Sequence, residues 1–135
     1  MEMRNIYVGM AAVVCAAGSL LYVPEVSAGD VSNASLACYV DTRAYDQLTS
    51  DYCASGWRPG DPNPTTAHFE VIGLTPGSYS FTWNSSCGTG AWCNKSITKD
   101  TSKGVPVTLS VLIRDNATGR TKTVSATAEY IDMWR

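Results

Sequence analysis

Apolar and polar residues alternate along most of the carboxy-terminal third of the chain. Val105-Pro106-Val107-Thr108-Leu109-Ser110-Val111-Leu112-Ile113-Arg114 repeats with a period of two, Asp115–Arg120 interrupts it with turn-forming residues, and Thr121–Tyr130 resumes it. This predicts a long β-hairpin. Val107, Leu109, Val111, Ile113, Val124, Ala126, Ala128 and Tyr130 share its apolar face, and Ser and Thr dominate the other. Thr65–Leu74 also alternates, with Ala67, Phe69 and Val71 on one side and His68, Glu70 and Ile72 on the other. Thr75-Pro76-Gly77 then reads as a turn, in which Pro presets φ and Gly accepts a positive φ. Ser78–Trp83 follows as a strand with Tyr79, Phe81 and Trp83 facing inward.

The remaining segments are less regular. Leu36–Val40 and Asn94–Lys99 are candidate short strands, and Asp41–Asp51 is either a short helix or an irregular loop. Cys53–Pro64 reads as loop because Gly56, Pro59, Gly60, Pro62 and Pro64 break it. Gly29–Ser35 reads as a polar leader. No helical period persists beyond two turns. Short strands with frequent turn signals predict an all-β sandwich of about seven strands.

The first residues belong to a different kind of segment. Arg4 precedes an uncharged stretch, Ile6–Val23, which Pro24 ends, and Val26-Ser27-Ala28 supplies small residues for cleavage before Gly29. This predicts a signal peptide over 1–28 and one domain over 29–135. The protein is then secreted or periplasmic, with no membrane association after cleavage. Ten Lys and Arg oppose twelve Asp and Glu, for a formal charge of −2, a balance that argues against nucleic acid or an anionic membrane as partner.

Cysteine usage agrees with export. Cys15 leaves with the signal, and Cys38, Cys53, Cys87 and Cys93 remain. Four cysteines allow three pairings. Adjacency in sequence favours two local disulfides, Cys38–Cys53 and Cys87–Cys93, the first closing a loop of about 15 residues worth about 3 kcal/mol in the chain-entropy account. A zinc site lacks the Cys-x-x-Cys spacing it would need.

The chain resembles bacterial immunoglobulin-like domains of the PKD type. Phe69-Glu70-Val71 leads through a Gly/Pro turn to Tyr79-Ser80-Phe81-Thr82-Trp83, like that family's paired strands with an inward Trp. Val107-Thr108-Leu109-Ser110-Val111 and Val124-Ser125-Ala126-Thr127-Ala128, joined by Arg114-Asp115-Asn116-Ala117-Thr118-Gly119, resemble its closing hairpin. The family's Gly-Asp-Gly turn is replaced by Asn84-Ser85-Ser86-Cys87. Leu74-Thr75-Pro76-Gly77-Ser78-Tyr79 is similar to the tyrosine corner of fibronectin type III domains. The resemblance implies an immunoglobulin-like β-sandwich without the inter-sheet disulfide of antibody domains, used for adhesion, for protein or carbohydrate contact, or as a spacer. A shorter likeness is to chagasin-type cysteine-protease inhibitors. Asn63-Pro64-Thr65-Thr66 resembles their first loop and Gly88-Thr89-Gly90-Ala91 their second, which implies inhibitor contacts at Asn63, Thr65 and Thr66.

Catalytic chemistry has little to stand on. His68 is the one histidine, placed mid-strand, and no Gly-x-Ser-x-Gly elbow, metal-ligand spacing or glycine-rich phosphate loop occurs. No enzyme activity, metal or cofactor is expected. The candidates for recognition are aromatic. Trp83 is expected in the core and Trp134 over a core edge, while Trp57 and Trp92 either pack back on the sandwich or stand exposed as binding anchors. Three readings follow. A recognition module for an extracellular protein or glycan, binding through its loops, places Trp57 and Trp92 exposed and close together. A protease inhibitor places the Asn63–Thr66 and Gly88–Ala91 loops side by side. A structural accessory subunit presents an exposed apolar strand edge.

Overall fold

The computed structural model describes residues 25–43, 46–100 and 105–134; the apolar segment 6–23, with Cys15, lies outside them. Among the described residues the regular elements are eight strands: β1 (Ser35–Val40), β2 (Thr49–Ser50), β3 (Tyr52–Trp57), β4 (Thr65–Ile72), β5 (Tyr79–Trp83), β6 (Trp92–Ile97), β7 (Val107–Asp115) and β8 (Thr121–Asp132). They form two four-stranded sheets, β2-β1-β4-β6 and β3-β8-β7-β5. The chain crosses between the sheets from β2 to β3, and at each step from β3 through β4, β5 and β6 to β7, so its two layers are woven together in an all-β sandwich.

The core follows from alternation. Leu36, Cys38 and Val40 on β1 are opposed in register by Val71, Phe69 and Ala67 on β4, and all six are buried. In the facing sheet Leu109, Val111 and Ile113 on β7 join Ala126, Ala128 and Tyr130 on β8, with Trp83 beside Val111. The predicted hairpin is present, its inward face fully recruited. Period-two alternation was sufficient here because one face of each strand is dry and the other wet.

Residues 52–57 are a strand, not the loop expected from their glycine and the breakers beyond. β3 runs parallel to β8, with Cys53 opposite Ala128 and Trp57 opposite Asp132. Such a strand draws its hydrogen bonds from a segment some seventy residues away, so local propensity at Ala54, Ser55 and Gly56 says little about it. The pivot is Asp51, with φ 68°, a left-handed conformation that Asp tolerates better than most residues. Its amide donates to the Leu36 carbonyl of one sheet, and its own carbonyl accepts from the Thr127 amide of the other. One residue thus ends pairing with β1 and begins pairing with β8.

This crossing changes the meaning of the first disulfide. Both bridges pair as expected, Cys38–Cys53 with Cα atoms 5.7 Å apart and Cys87–Cys93 with Cα atoms 5.1 Å apart. The first, however, joins β1 to β3 and so links the two sheets. An inter-sheet bridge is therefore present, made by cysteines only 15 residues apart.

Four smaller expectations are also corrected. Val31 and Ala34 are buried, so the 29–35 leader is anchored to the sandwich. The positive φ at the β4–β5 corner falls on Gly73, where a side chain would collide with the Asn33 carbonyl, and not on Gly77. β6 begins at Trp92, two residues before the expected strand, because the ladder with β4 continues to Glu70. Trp134 covers no core edge: it is 67% exposed.

Candidate recognition site

The two outer faces of the sandwich differ in chemistry. The outer face of the β3-β8-β7-β5 sheet carries mainly hydroxyls, Ser80 and Thr82 on β5, Thr108 and Ser110 on β7, and Thr123, Ser125 and Thr127 on β8, with Leu112 and a single ring, Tyr52, among them. The outer face of the other sheet carries three rings in a row across three strands. Tyr39 of β1 lies opposite His68 of β4, with ring centroids 5.0 Å apart and planes tilted by 36°. His68 in turn stacks on Trp92 of β6 at 6.1 Å and 28°. Cross-strand aromatic contacts of this kind hold each other's rotamers.

His68 is the centre of this ladder. Its side chain is 18% exposed. One ring nitrogen meets the Asn94 side-chain oxygen at 2.6 Å, and the other meets the Glu70 carboxylate at 3.4 Å. Tyr39 sits at the inner end, its phenol pushed above its ordinary value by burial and then by the nearby Asp46, Asp41 and Glu70 carboxylates. Trp92 forms the outer end on the edge strand and is 56% exposed.

The surrounding segment holds Trp92 firmly. Cys93, its neighbour, is buried and bonded to Cys87. The Ala91 carbonyl accepts from the Val71 amide, and the Gly90 carbonyl accepts from the Trp83 indole at 2.9 Å. The small disulfide ring therefore serves as an abutment, and the exposed indole projects from a strand instead of from a loose loop. Glu70 lies directly across from Trp92, and Asn94 follows on the same face. A large apolar surface is thus rimmed by a carboxylate and an amide.

The other expected contact residues are elsewhere. Trp57 ends β3, half-buried: its indole donates to the Asp61 carbonyl at 3.1 Å, and the Lys99 ammonium lies 2.9 Å from its ring centroid. Lys99 also pairs with Asp132 at 3.2 Å. Asn63 accepts from the Lys99 amide, Thr65 donates its hydroxyl to the Asp41 carbonyl, and the Thr66 carbonyl accepts from the Asp41 amide. These residues fasten the Ile97 end of the β4–β6 pair, where Thr65 is opposite Ile97. Trp92 and the Gly88–Ala91 loop are at its Glu70 end. The register thus separates Trp57 from Trp92, and it separates the two inhibitor-like loops as well. Neither arrangement expected from the sequence, paired tryptophans or paired loops, is met. No local pattern marks Tyr39, or makes Glu70 and Asn94 its neighbours in a site; alternation places Glu70 on His68's face, but the ring-to-ring register depends on long-range pairing that no local pattern encodes.

A cleft of about 340 Å³ opens between Arg43, Arg58, Asp61 and Met133. The Asp61 carboxylate in it is occupied by the Arg58 amide at 2.9 Å and by Arg43 at 3.6 Å. Among the described residues no three His, Cys, Asp or Glu side chains are grouped to hold a metal, and no helix is long and apolar enough to cross a membrane. The two disulfides accord with an oxidising compartment. Fold and site together define a disulfide-stapled all-β sandwich with an aromatic ladder on one outer face. No family model, curated protein or solved structure matches the chain.

Proposed function

We propose that this protein is an exported, non-catalytic immunoglobulin-like module that recognises an extracellular glycan through Trp92 and the ladder behind it. The observation that carries this is the exposed indole, preordered by His68 and by the Cys87–Cys93 ring, beside Glu70 and Asn94. An indole face stacks on the apolar C–H face of a sugar ring, while a neighbouring carboxylate and amide accept and donate to its hydroxyls. Rigidity matters because an anchor that is already immobile has little conformational freedom left to lose on binding.

The strand order supports the immunoglobulin-like reading, and the likeness of the Phe69–Trp83 and Val107–Ala128 patterns to PKD-type domains belongs to the same proposal. Export rests on the apolar amino-terminal segment and on the disulfides. The accessory-subunit reading has less support, because edge strand β6 carries Lys95 on its inward side, with the ammonium drawn out to the Ser86 carbonyl at 3.0 Å. An inward charge on an edge strand opposes edge-to-edge pairing.

The test is a glycan array probed with the exported protein, followed by titration of any ligand found into wild type and Trp92→Ala. The proposal expects saccharide binding in wild type, weakened at least tenfold by the substitution. Absence of glycan binding, or binding that Trp92→Ala leaves intact, contradicts it.

A further inference from the structure

The predicted signal cleavage site meets the sandwich beside the β7–β8 turn. Glu25–Ala28 are exposed, whereas Gly29 is half-buried. Gly29 leaves no room for a side chain, since a methyl group on it would overlap the Tyr79 hydroxyl. A methyl on Gly77 would lie 2.9 Å from the Gly29 Cα and 3.1 Å from its nitrogen. The next residue is clamped too, because the Asp30 amide faces the Thr75 hydroxyl at 2.7 Å and the Tyr79 hydroxyl at 3.0 Å. Tyr79 itself donates to the Thr75 carbonyl at 2.7 Å, as in the tyrosine corner that the sequence resembles.

Asp115 aims its carboxylate at this point. It is completely buried and accepts from the Thr118 hydroxyl at 2.6 Å and from the Ala117 amide at 3.0 Å; Gly29 packs on Tyr79, the β5 residue opposite Asp115, and so brings its amide to the same carboxylate. The ion pairs found among the described residues involve Asp61, Glu70 and Asp132. The buried carboxylate therefore faces neutral donors, and one of them is the nitrogen that cleavage after Ala28 would liberate. Buried carboxylates are stabilised far better by a hydrogen-bonded cation than by neutral donors alone.

We propose that the processed amino terminus is a structural ligand: hydrolysis of the Ala28–Gly29 bond frees the Gly29 amine, which as an ammonium becomes the buried counter-ion of Asp115. The step consumes one water. The Ala28 side keeps a carboxylate, the Gly29 side becomes an amine, and that amine takes up a proton at neutral pH. Processing thereby converts a neutral hydrogen bond into a charge pair and closes the end of the sandwich formed by Gly29, the Thr75–Tyr79 corner and the β7–β8 turn. The precursor lacks this pair. The inference rests on the signal-peptide reading and is independent of glycan recognition. The other charged or titratable groups facing the segment are Asp30, Tyr79 and, acting on Asp30 from the turn and β8, Arg120 and Lys122.

The test starts from the full chain, exported with its own signal. Intact mass identifies the mature amino terminus. The rate at which its α-amine is acylated, and its titration by ¹⁵N NMR, are then measured in wild type and Asp115→Asn. The proposal expects Gly29 as first residue, acylation at least tenfold slower than for an exposed peptide amine, and a pKa above the ordinary value of about 8. Both properties should revert in Asp115→Asn. A different first residue overturns the processing reading on which the proposal depends. Gly29 at the terminus with ordinary reactivity and titration overturns the charge pair itself, as does an unreactive amine that Asp115→Asn leaves unchanged. If the substituted protein does not fold, the wild-type amine alone decides.

Discussion

The Trp92 indole stacks on the His68 imidazole, with centroids 6.1 Å apart and planes 28° from parallel, although the two residues belong to different strands. Trp92 contributes its exposed surface, and His68, held between Tyr39, Asn94 and Glu70, contributes the support. The two positions should therefore respond differently to substitution. Trp92→Ala should change stability by no more than about 0.5 kcal/mol, as surface substitutions usually do, while removing ligand binding. His68→Ala should weaken binding less than Trp92→Ala and raise the mobility of the indole. Denaturant melts, ligand titration and tryptophan anisotropy check the three quantities.

Trp57 should behave in the opposite way. Its ring carries the Lys99 ammonium and its N–H is committed to the Asp61 carbonyl, so Trp57→Ala should destabilise by about 2 kcal/mol, less than a fully buried aromatic would. Glycan affinity, measured well below the new midpoint of unfolding, should be unchanged.

The inter-sheet bridge should matter more than the loop bridge. Replacing Cys38 and Cys53 together by Ser should cost about 3 kcal/mol, and replacing Cys87 and Cys93 about 2 kcal/mol, on the loop-entropy account. The second pair should have the larger effect on binding, because it braces Trp92. Urea unfolding of the two double variants, with ligand titration of each, tests both halves.

Acid should loosen the β7–β8 turn. The Asp115 carboxylate is held below its ordinary value of 3.8, first by the Thr118 hydroxyl and then by the Ala117, Gly29 and Thr118 amides, against the opposing effect of burial. A group depressed in the folded state contributes its full stability above the unfolded value and loses it as the pH falls through the folded one. Titration of this residue should thus leave stability flat between about pH 5 and pH 7 and lower it below pH 3.8. Unfolding midpoints from pH 6 to pH 2 should show that decline in wild type and a shallower one in Asp115→Asn.

Much of the sandwich was legible because its strands are half wet. Leu109, Val111, Ile113, Ala126, Ala128 and Tyr130 alternate with Ser110, Leu112, Thr127 and Glu129, which face outward, and local alternation is all that such strands require. Phe69 and Trp83 were legible for the same reason. β3 was not, since its partner β8 is distant and the sheet change depends on one left-handed residue, Asp51. The candidate site was half legible. Trp92 stood out by composition, but its partners Tyr39 and His68 are joined to it only by register across β1, β4 and β6. Register also parts Trp57 from Trp92 and Asn63–Thr66 from Gly88–Ala91, relationships that sequence proximity cannot convey.

Recognition through the ladder is tested most directly by mapping a bound saccharide on the ¹H–¹⁵N spectrum of the protein, side-chain signals included. The largest shifts should fall on Trp92 Nε1–H, the Asn94 side-chain amide and the backbone amides of Glu70 and Cys93, with smaller ones at Tyr39 and His68. Shifts centred on Trp57 or the Asn63–Thr66 loop, or saturation with no change at Trp92, would contradict it.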